Sequence, residues 1–278
     1  MLQEAIDLQD RAINELIYLT RENKLNNITF KAPTGSGKTF MMAKFMNEIL
    51  GSDSDVIFLV STLSKGDLAG QNYKKFIEYS EIGLFRNLKP YLINSEVSDE
   101  ENLYIPSNYN VYVLPRDLYK KNTLLMRGPM ESFLRDVTGK LRFENGEVKI
   151  GNGNSIYVIK DECHQATNNL DSLSKDYFSK IFNFSATPKL SRGQVPDVWI
   201  KNEEAVSVKL IKEIVEGNEN DDLKIAVDKF KEIKKEYIEK LGINPCMIIQ
   251  ISNKDKVKEE LDEIIPILNR NDLKWIYI

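Results

Sequence analysis

Cysteine is nearly missing from this chain of 278 residues, with Cys163 and Cys246 the two present. They are too few for a disulfide framework and do not stand at metal-ligand spacing. No apolar run approaches the ~18 residues of a membrane span. The first residues, Met1 to Asp7, include acids and lack the basic and apolar blocks of a signal peptide, so a cytoplasmic location is expected. An excess of basic charge is missing too: the net charge is −4, which excludes a uniformly basic DNA-coating protein. It does not exclude a local basic groove, because steering depends on where charge lies rather than on its sum.

What remains is ordinary for a folded domain, 42% hydrophobic and 29% charged residues. The length allows one large domain, or one domain and part of a second. Ile6, Ala12, Ile13, Leu16, Ile17 and Leu19 recur at helical spacing and open the chain with an amphipathic helix. A short strand, Ile28 to Ala32, precedes Pro33-Thr34-Gly35-Ser36-Gly37-Lys38-Thr39, and a helix from Phe40 to Leu50 follows, with Gly51 read as its stop. Val56 to Val60 has no alternation, which suits a strand buried on both faces. Further strands are expected at Tyr91 to Ile93, Val111 to Leu114, Ile156 to Ile159 and Ile181 to Phe184, with helices between most of them. This rhythm predicts an α/β fold with a mostly parallel, doubly wound sheet. One segment breaks it: residues 141–144, Asn145-Gly146 and residues 147–150 read as an inserted β-hairpin on a type I′ turn.

Composition shifts after Gly217. Residues 1–217 are expected to form the first domain, and 218–278 a polar linker (Asn218 to Asp222), a long helix from Leu223 to Leu241 and the start of a second α/β unit. That start would hold a strand at Met247 to Ile251, a helix from Lys254 to Leu268 and an apolar run from Leu273 to Ile278. Two strands do not cover a domain core, so the chain is expected to continue beyond Ile278.

Strand, glycine-rich turn, Lys-Thr and helix together make a phosphate-binding loop. Gly35 and Gly37 permit backbone angles that point N–H groups inward at an anion, and the helix N-terminus adds partial positive charge. Thr34 and Ser36 complete the loop, Lys38 supplies a point charge for β- and γ-phosphates, and Thr39 offers a hydroxyl to Mg²⁺. The cofactors implied are ATP and Mg²⁺. A second strand, Ile156 to Ile159, ends in Lys160-Asp161-Glu162-Cys163-His164. There Asp161 is suited to hold Mg²⁺ directly or through water, and Glu162 to orient and deprotonate the attacking water. A lone histidine is usually structural, but His164 lies two residues past that acid, where it can contact the part of the domain that senses the γ-phosphate.

Ala-Pro-Thr-Gly-Ser-Gly-Lys-Thr and Asp-Glu-Cys-His resemble motifs I and II of superfamily 2 helicases and translocases. The extension from Asp161 to Leu170 resembles, more narrowly, the motor of the Res subunit of type III restriction enzymes. Ala32, where the general loop pattern has its first glycine, fits that resemblance. It implies a RecA-like P-loop NTPase fold and further roles. Ser185-Ala186-Thr187-Pro188 is similar to the coupling motif, whose hydroxyls (Ser185, Thr187) would link the acidic site to a nucleic-acid groove. Leu8 to Ala12 resembles the segment in which a glutamine, here Gln9, reads the adenine edge; the alternative is a solvent-facing helical glutamine. Ser61 to Gln71 resembles motif Ia, so Ser61 and Thr62 would meet phosphates of the nucleic-acid backbone. Lys65 and Arg116 would do the same, with plain surface charge as their alternative.

The resemblance further implies double-stranded DNA as track, a methyltransferase (modification) subunit as partner and, in the same polypeptide, a second RecA-like domain and a nuclease domain. No Gln-x-x-Gly-Arg-like arginine motif and no nuclease segment occurs in the sequence. The chain as it stands is therefore expected to bind ATP, hydrolyse it poorly and cleave no DNA. A type I restriction motor, an RNA helicase and a non-motor nucleotide switch remain open as alternatives.

Overall fold

A computed structural model describes residues 3–22, 24–62, 67–93, 105–115, 129–139, 142–144, 147–149, 153–162, 170, 174–212, 223–251 and 257–276. The chain divides into two compact units, Met1–Glu213 and Ile214–Ile278. The first contains a seven-stranded sheet of β1 (Asn27–Lys31), β2 (Val56–Thr62), β3 (Pro90–Leu92), β4 (Val111–Pro115), β7 (Ser155–Asp161), β8 (Phe178–Ser185) and β9 (Val198–Trp199). Their order is β3-β4-β2-β7-β8-β1-β9, and every pairing is parallel. Between the strands run α1 (Gln3–Arg21), α2 (Lys38–Ser52), α3 (Leu68–Glu81), α4 (Pro129–Thr138), the single turn α5 (Ser174–Tyr177) and α6 (Asn202–Ser207).

Parallel strands need crossovers, and the crossovers cover both faces of the sheet. On one face Leu8, Ala12, Ile13 and Leu16 of α1, Met41, Met42, Phe45 and Met46 of α2 and Phe76 of α3 join Phe58, Val60, Ile159, Phe182 and Phe184 in one core. On the other, Met130, Phe133, Leu134 and Val137 of α4 pack with Ile57, Leu59, Tyr112, Leu114, Ile156 and Val158. All seven residues of β2 are buried, which accounts for its unbroken apolar run. The fold is thus the expected α/β, doubly wound, RecA-like sheet.

Two local readings change. Helix α2 does not stop at Gly51 but runs through it to Ser52, with Asp53 as an extended C-cap. The glycine answers to packing instead: a Cβ there would lie 2.7 Å from the Asn87 amide nitrogen, which donates to the Asn47 carbonyl at 3.0 Å. The sheet also gains β9, whose two residues are too short a signal to show as periodicity in the sequence. The hairpin forms as expected from β5 (Arg142–Glu144) and β6 (Glu147–Lys149), antiparallel with Glu144 opposite Glu147. Its turn, Asn145-Gly146, lies outside the described residues. At the base of this excursion the Asn154 amide donates to the Val137 carbonyl at 2.6 Å, pinning the end of α4 to the start of β7.

The second unit contains α7 (Leu223–Leu241) and α8 (Val257–Arg270), with the Lys231 ammonium donating to the Asn271 amide oxygen at 3.2 Å. The polar linker from Asn218 to Asp222 lies outside the described residues. No strand forms at 247–251 or at 273–276, and Ile248 is 89% exposed. A strand is held by a ladder to a neighbour, and the described residues of this unit offer none. Among the described residues no helix is long and apolar enough to cross a membrane.

The first core has an aromatic centre, with Phe45 edge-on to Phe58 and Phe182 at centroid separations of 5.8 and 4.9 Å. Phe45→Ala is expected to cost about 3–5 kcal/mol through lost burial and a residual cavity. Urea unfolding followed by circular dichroism measures it, and a loss below about 1 kcal/mol would contradict this account of the core.

Candidate nucleotide site

The parallel register brings the chemistry-bearing segments to one end of the sheet. Lys31, at the end of β1, pairs with Ser185 of β8, and Asp161 of β7 pairs with Phe184. The Ala32 amide extends the ladder by donating to the Ser185 carbonyl at 3.2 Å. The loop from Pro33 to Gly37 and the segments after Asp161 and Ser185 therefore leave from adjacent strand ends. Ligands of open α/β sheets bind in that position.

Within the loop, Gly35 and Gly37 both have φ near +83°. Gly37 is fixed twice over, because an added Cβ would also lie 2.8 Å from the Gln9 side-chain nitrogen. Ser36 is buried, and its hydroxyl donates to the Pro33 carbonyl at 2.7 Å to close the turn. Thr34 and Gly35 are exposed at the loop's tip. The Lys38 ammonium curls back over the loop and donates to the carbonyls of Ala32 (3.4 Å) and Pro33 (3.3 Å). No side chain caps the N-terminus of α2, so its first N–H groups face the loop.

Gln9 is not solvent-facing. It is 2% exposed, and its Nε2 donates to the Ser36 carbonyl at 2.8 Å, tying α1 to the loop. Arg11, two residues on, reaches Glu204 of α6 at 3.1 Å, so the same helix is also tied to the segment after β9.

At the acidic strand end, Glu162 takes a left-handed backbone with φ of 55°. That conformation costs a non-glycine residue of order 1–3 kcal/mol and concentrates at functional positions. The turn places its carboxylate where the Ser185 hydroxyl donates to it at 3.4 Å, while the Thr187 amide donates to the same hydroxyl at 3.0 Å. Ser185 thus joins the two expected motifs. Thr187 itself is exposed.

Thr39 and Asp161 are joined through Asn72, a residue outside the expected motifs. The Thr39 hydroxyl donates to Oδ1 of Asn72 at 3.3 Å, and Nδ2 of Asn72 donates to Asp161 Oδ2 at 3.2 Å. Asn72 lies on α3 and is 6% exposed. A signal for it existed: it stands among Ala69 and Phe76 on the buried face of that helix, a polar residue at a core position. A hydroxyl and a carboxylate brought together by one amide form a hard-oxygen donor set, which fits Mg²⁺. Burial raises the Asp161 pKa above its ordinary value, and Glu162 adds to the rise, while Asn72 and Lys38 oppose it.

Other expected contacts are less accessible. Ser61 and Thr62 close β2 with 0% exposure, so their hydroxyls do not lie on the surface where a nucleic-acid phosphate would meet them. They belong to β2, an interior strand between β4 and β7 whose seven residues are all buried. Lys65, Arg116 and His164, with Cys163 and residues 165–169, lie outside the described residues.

The direction of the Asp161 shift fixes a sign. A carboxyl whose folded pKa lies above its unfolded value of 3.8 costs stability once ionised. That cost is present in full above the folded pKa and fades as pH falls toward the unfolded one. Asp161→Asn is therefore expected to raise the melting temperature of the ligand-free chain at pH 7, with a gain that shrinks on acidification. A melting temperature unchanged or lowered at pH 7 would contradict the shift.

Over residues 3–190 the chain matches the family described as type III restriction enzyme, res subunit. No curated protein matches it. Among solved structures it is similar to a nuclease-deletion mutant of the type ISP restriction-modification enzyme LlaGI in complex with a DNA substrate mimic, at 14% identity and a TM-score of 0.46, covering 94% of this chain and 24% of that one. The UvsW helicase from bacteriophage T4 is 16% identical, with a TM-score of 0.39 and coverages of 65% and 51%. A Sulfolobus solfataricus SWI2/SNF2 ATPase core in complex with double-stranded DNA is 16% identical, with a TM-score of 0.41 and coverages of 93% and 42%. The chain accordingly spans 24% to 51% of the length of these proteins. With the family match running over well more than half of the chain and across the loop, Asp161 and Ser185, the chain belongs to the res-subunit family of type III restriction enzymes, and it carries a superfamily 2 motor domain.

Proposed function

We propose that the chain is the ATP-binding motor module of a type III restriction enzyme, coupling ATP hydrolysis to movement on double-stranded DNA before cleavage. The observation that carries this reading is the convergence of Lys38, Thr39, Asp161 and Glu162 at one end of the sheet, with the Ser185 hydroxyl on Glu162. In this reading the N–H groups of residues 34–39 cradle the phosphates, and Lys38 leaves the carbonyls of Ala32 and Pro33 for the β- and γ-phosphates. Thr39 and Asp161 would hold Mg²⁺, which supplies charge neutralisation at the phosphates. Glu162 orients and deprotonates the attacking water, and His164 would contact the part of the domain that senses the γ-phosphate. Gln9 keeps the loop in shape through its amide nitrogen, and its oxygen accepts from the adenine amino group.

Ser185 and Thr187 link this site to the DNA groove in the proposed cycle. Lys65 and Arg116 supply its phosphate contacts, and Ser61 and Thr62 act there through their main chain. Residues 218–278 begin the second RecA-like domain, whose arginine residues complete the catalytic site. A nuclease domain further along the polypeptide and a methyltransferase partner that reads the target sequence complete the enzyme. The chain alone binds ATP and turns it over slowly.

Removal of the Lys38 charge tests the nucleotide site. Lys38→Ala is expected to abolish detectable ATP binding in calorimetry, and unchanged affinity would remove the phosphate-loop assignment. For the protein carrying both motor domains, ATP hydrolysis is expected to rise with double-stranded DNA. Stimulation by RNA alone would replace the restriction reading with that of an RNA helicase, and indifference to nucleic acid would favour a nucleotide switch.

A further inference from the structure

Asn72 belongs to none of the motifs that assign the site, yet it touches two of the residues on which that assignment rests. The chemistry of its partners sets the direction of its amide. A carboxylate only accepts, so the NH₂ end must face Asp161, which leaves the carbonyl end facing the Thr39 hydroxyl. The Thr39 proton is then committed to Asn72, which leaves its oxygen lone pairs as the ligating groups. Asp161 Oδ2 is held by the amide, which fixes the rotation of the carboxylate. One planar group thus prepares both oxygens that the proposed function gives to Mg²⁺. Outer partners of this kind fix the orientation of metal ligands, and their loss commonly weakens metal binding about 10–100-fold.

The position of Asn72 on α3 adds a second consequence. It lies on the first turns of the helix that follows residues 63–66, and its own partners are in α2 and β7. Phe76, one turn on and 0% exposed, anchors α3 in the core beside α2. A shift of the start of α3 therefore moves the amide against Thr39 and Asp161.

We infer that Asn72 is a positioning residue for Mg²⁺, setting the Thr39 hydroxyl and the Asp161 carboxylate as a pair and tying both to the start of α3. This rests on the proposed nucleotide site, and the test keeps the two separable. ATP binding to the 278-residue chain is measured by calorimetry in EDTA and in Mg²⁺, for the wild type, Asn72→Leu, Thr39→Val and the double variant, with Phe76→Ala as a packing control on the same helix.

In Asn72→Leu, affinity in EDTA is expected to stay within about twofold of wild type, while the gain from Mg²⁺ falls about 10–100-fold. The double variant is expected to lose little more of that gain than Thr39→Val alone, because both changes break one arrangement. Phe76→Ala lowers the melting temperature and keeps the gain. A folded Asn72→Leu chain with the full Mg²⁺ gain would overturn the inference, as would additive losses in the double variant or an equal loss in Phe76→Ala. A wild-type chain that does not bind ATP would instead overturn the site itself.

Discussion

Parallel pairing of β1, β8, β7 and β2 is the constraint on which everything else in the first unit rests. Because neighbouring strands run the same way, each one delivers its C-terminal residue to the same edge, and each must be followed by a crossover that covers a face. Residues far apart in the chain are brought within one or two hydrogen bonds of each other at that edge: Ala32 to Ser185, Ser185 to Glu162, Thr39 through Asn72 to Asp161. The sheet interior around these strand ends is apolar, with Phe58, Val60, Ile159, Phe182 and Phe184 all buried. Charge placed there is poorly solvated, which explains both the raised Asp161 and the value of an amide and an ammonium close by.

Much of this was legible in the residues. The loop was visible because its demands are local: glycines where φ is positive, then a lysine and a hydroxyl at the first turn of a helix. The strand bearing Asp161 is legible from its apolar run, Ile156 to Ile159, although β7 carries on past it through the buried Lys160 to Asp161. The hairpin declared itself by alternation. Features that depend on distant partners were not visible in the same way. The sequence leaves Gln9 as an adenine contact or a solvent-facing residue, and its burial and its hydrogen bond to the Ser36 carbonyl appear only in the fold. Gly51 looked like a helix stop, because nothing in the sequence places Asn87 against it. Ser61 and Thr62 stand at a strand end in the sequence, but both are fully buried in the folded chain. The apolar residues from Met247 to Ile251 have strand composition, yet a strand requires a neighbour as well as a composition.

The site also shows how little of its geometry comes from the named motifs alone. α1 restrains the loop through Gln9, and α3 sets Thr39 against Asp161 through Asn72; neither helix contributes a charge to the phosphate-binding loop. A motif of this kind is a set of reactive groups, and the surrounding helices decide which way those groups point. The left-handed turn at Glu162 belongs to the same division of labour. The rigid sheet below it sustains a conformation that an isolated peptide would avoid.

The excursion that carries β5 and β6 is closed at its base, where the Asn154 amide meets the Val137 carbonyl. With its two ends already held together, such a segment can be lengthened at little entropic cost. Doubling such a loop costs only about 0.6 kcal/mol in closure entropy. This makes the tip of the hairpin a natural port for grafting: a reporter domain or an affinity handle inserted between Glu144 and Glu147 would leave the strand ends and their hydrogen bonds in place.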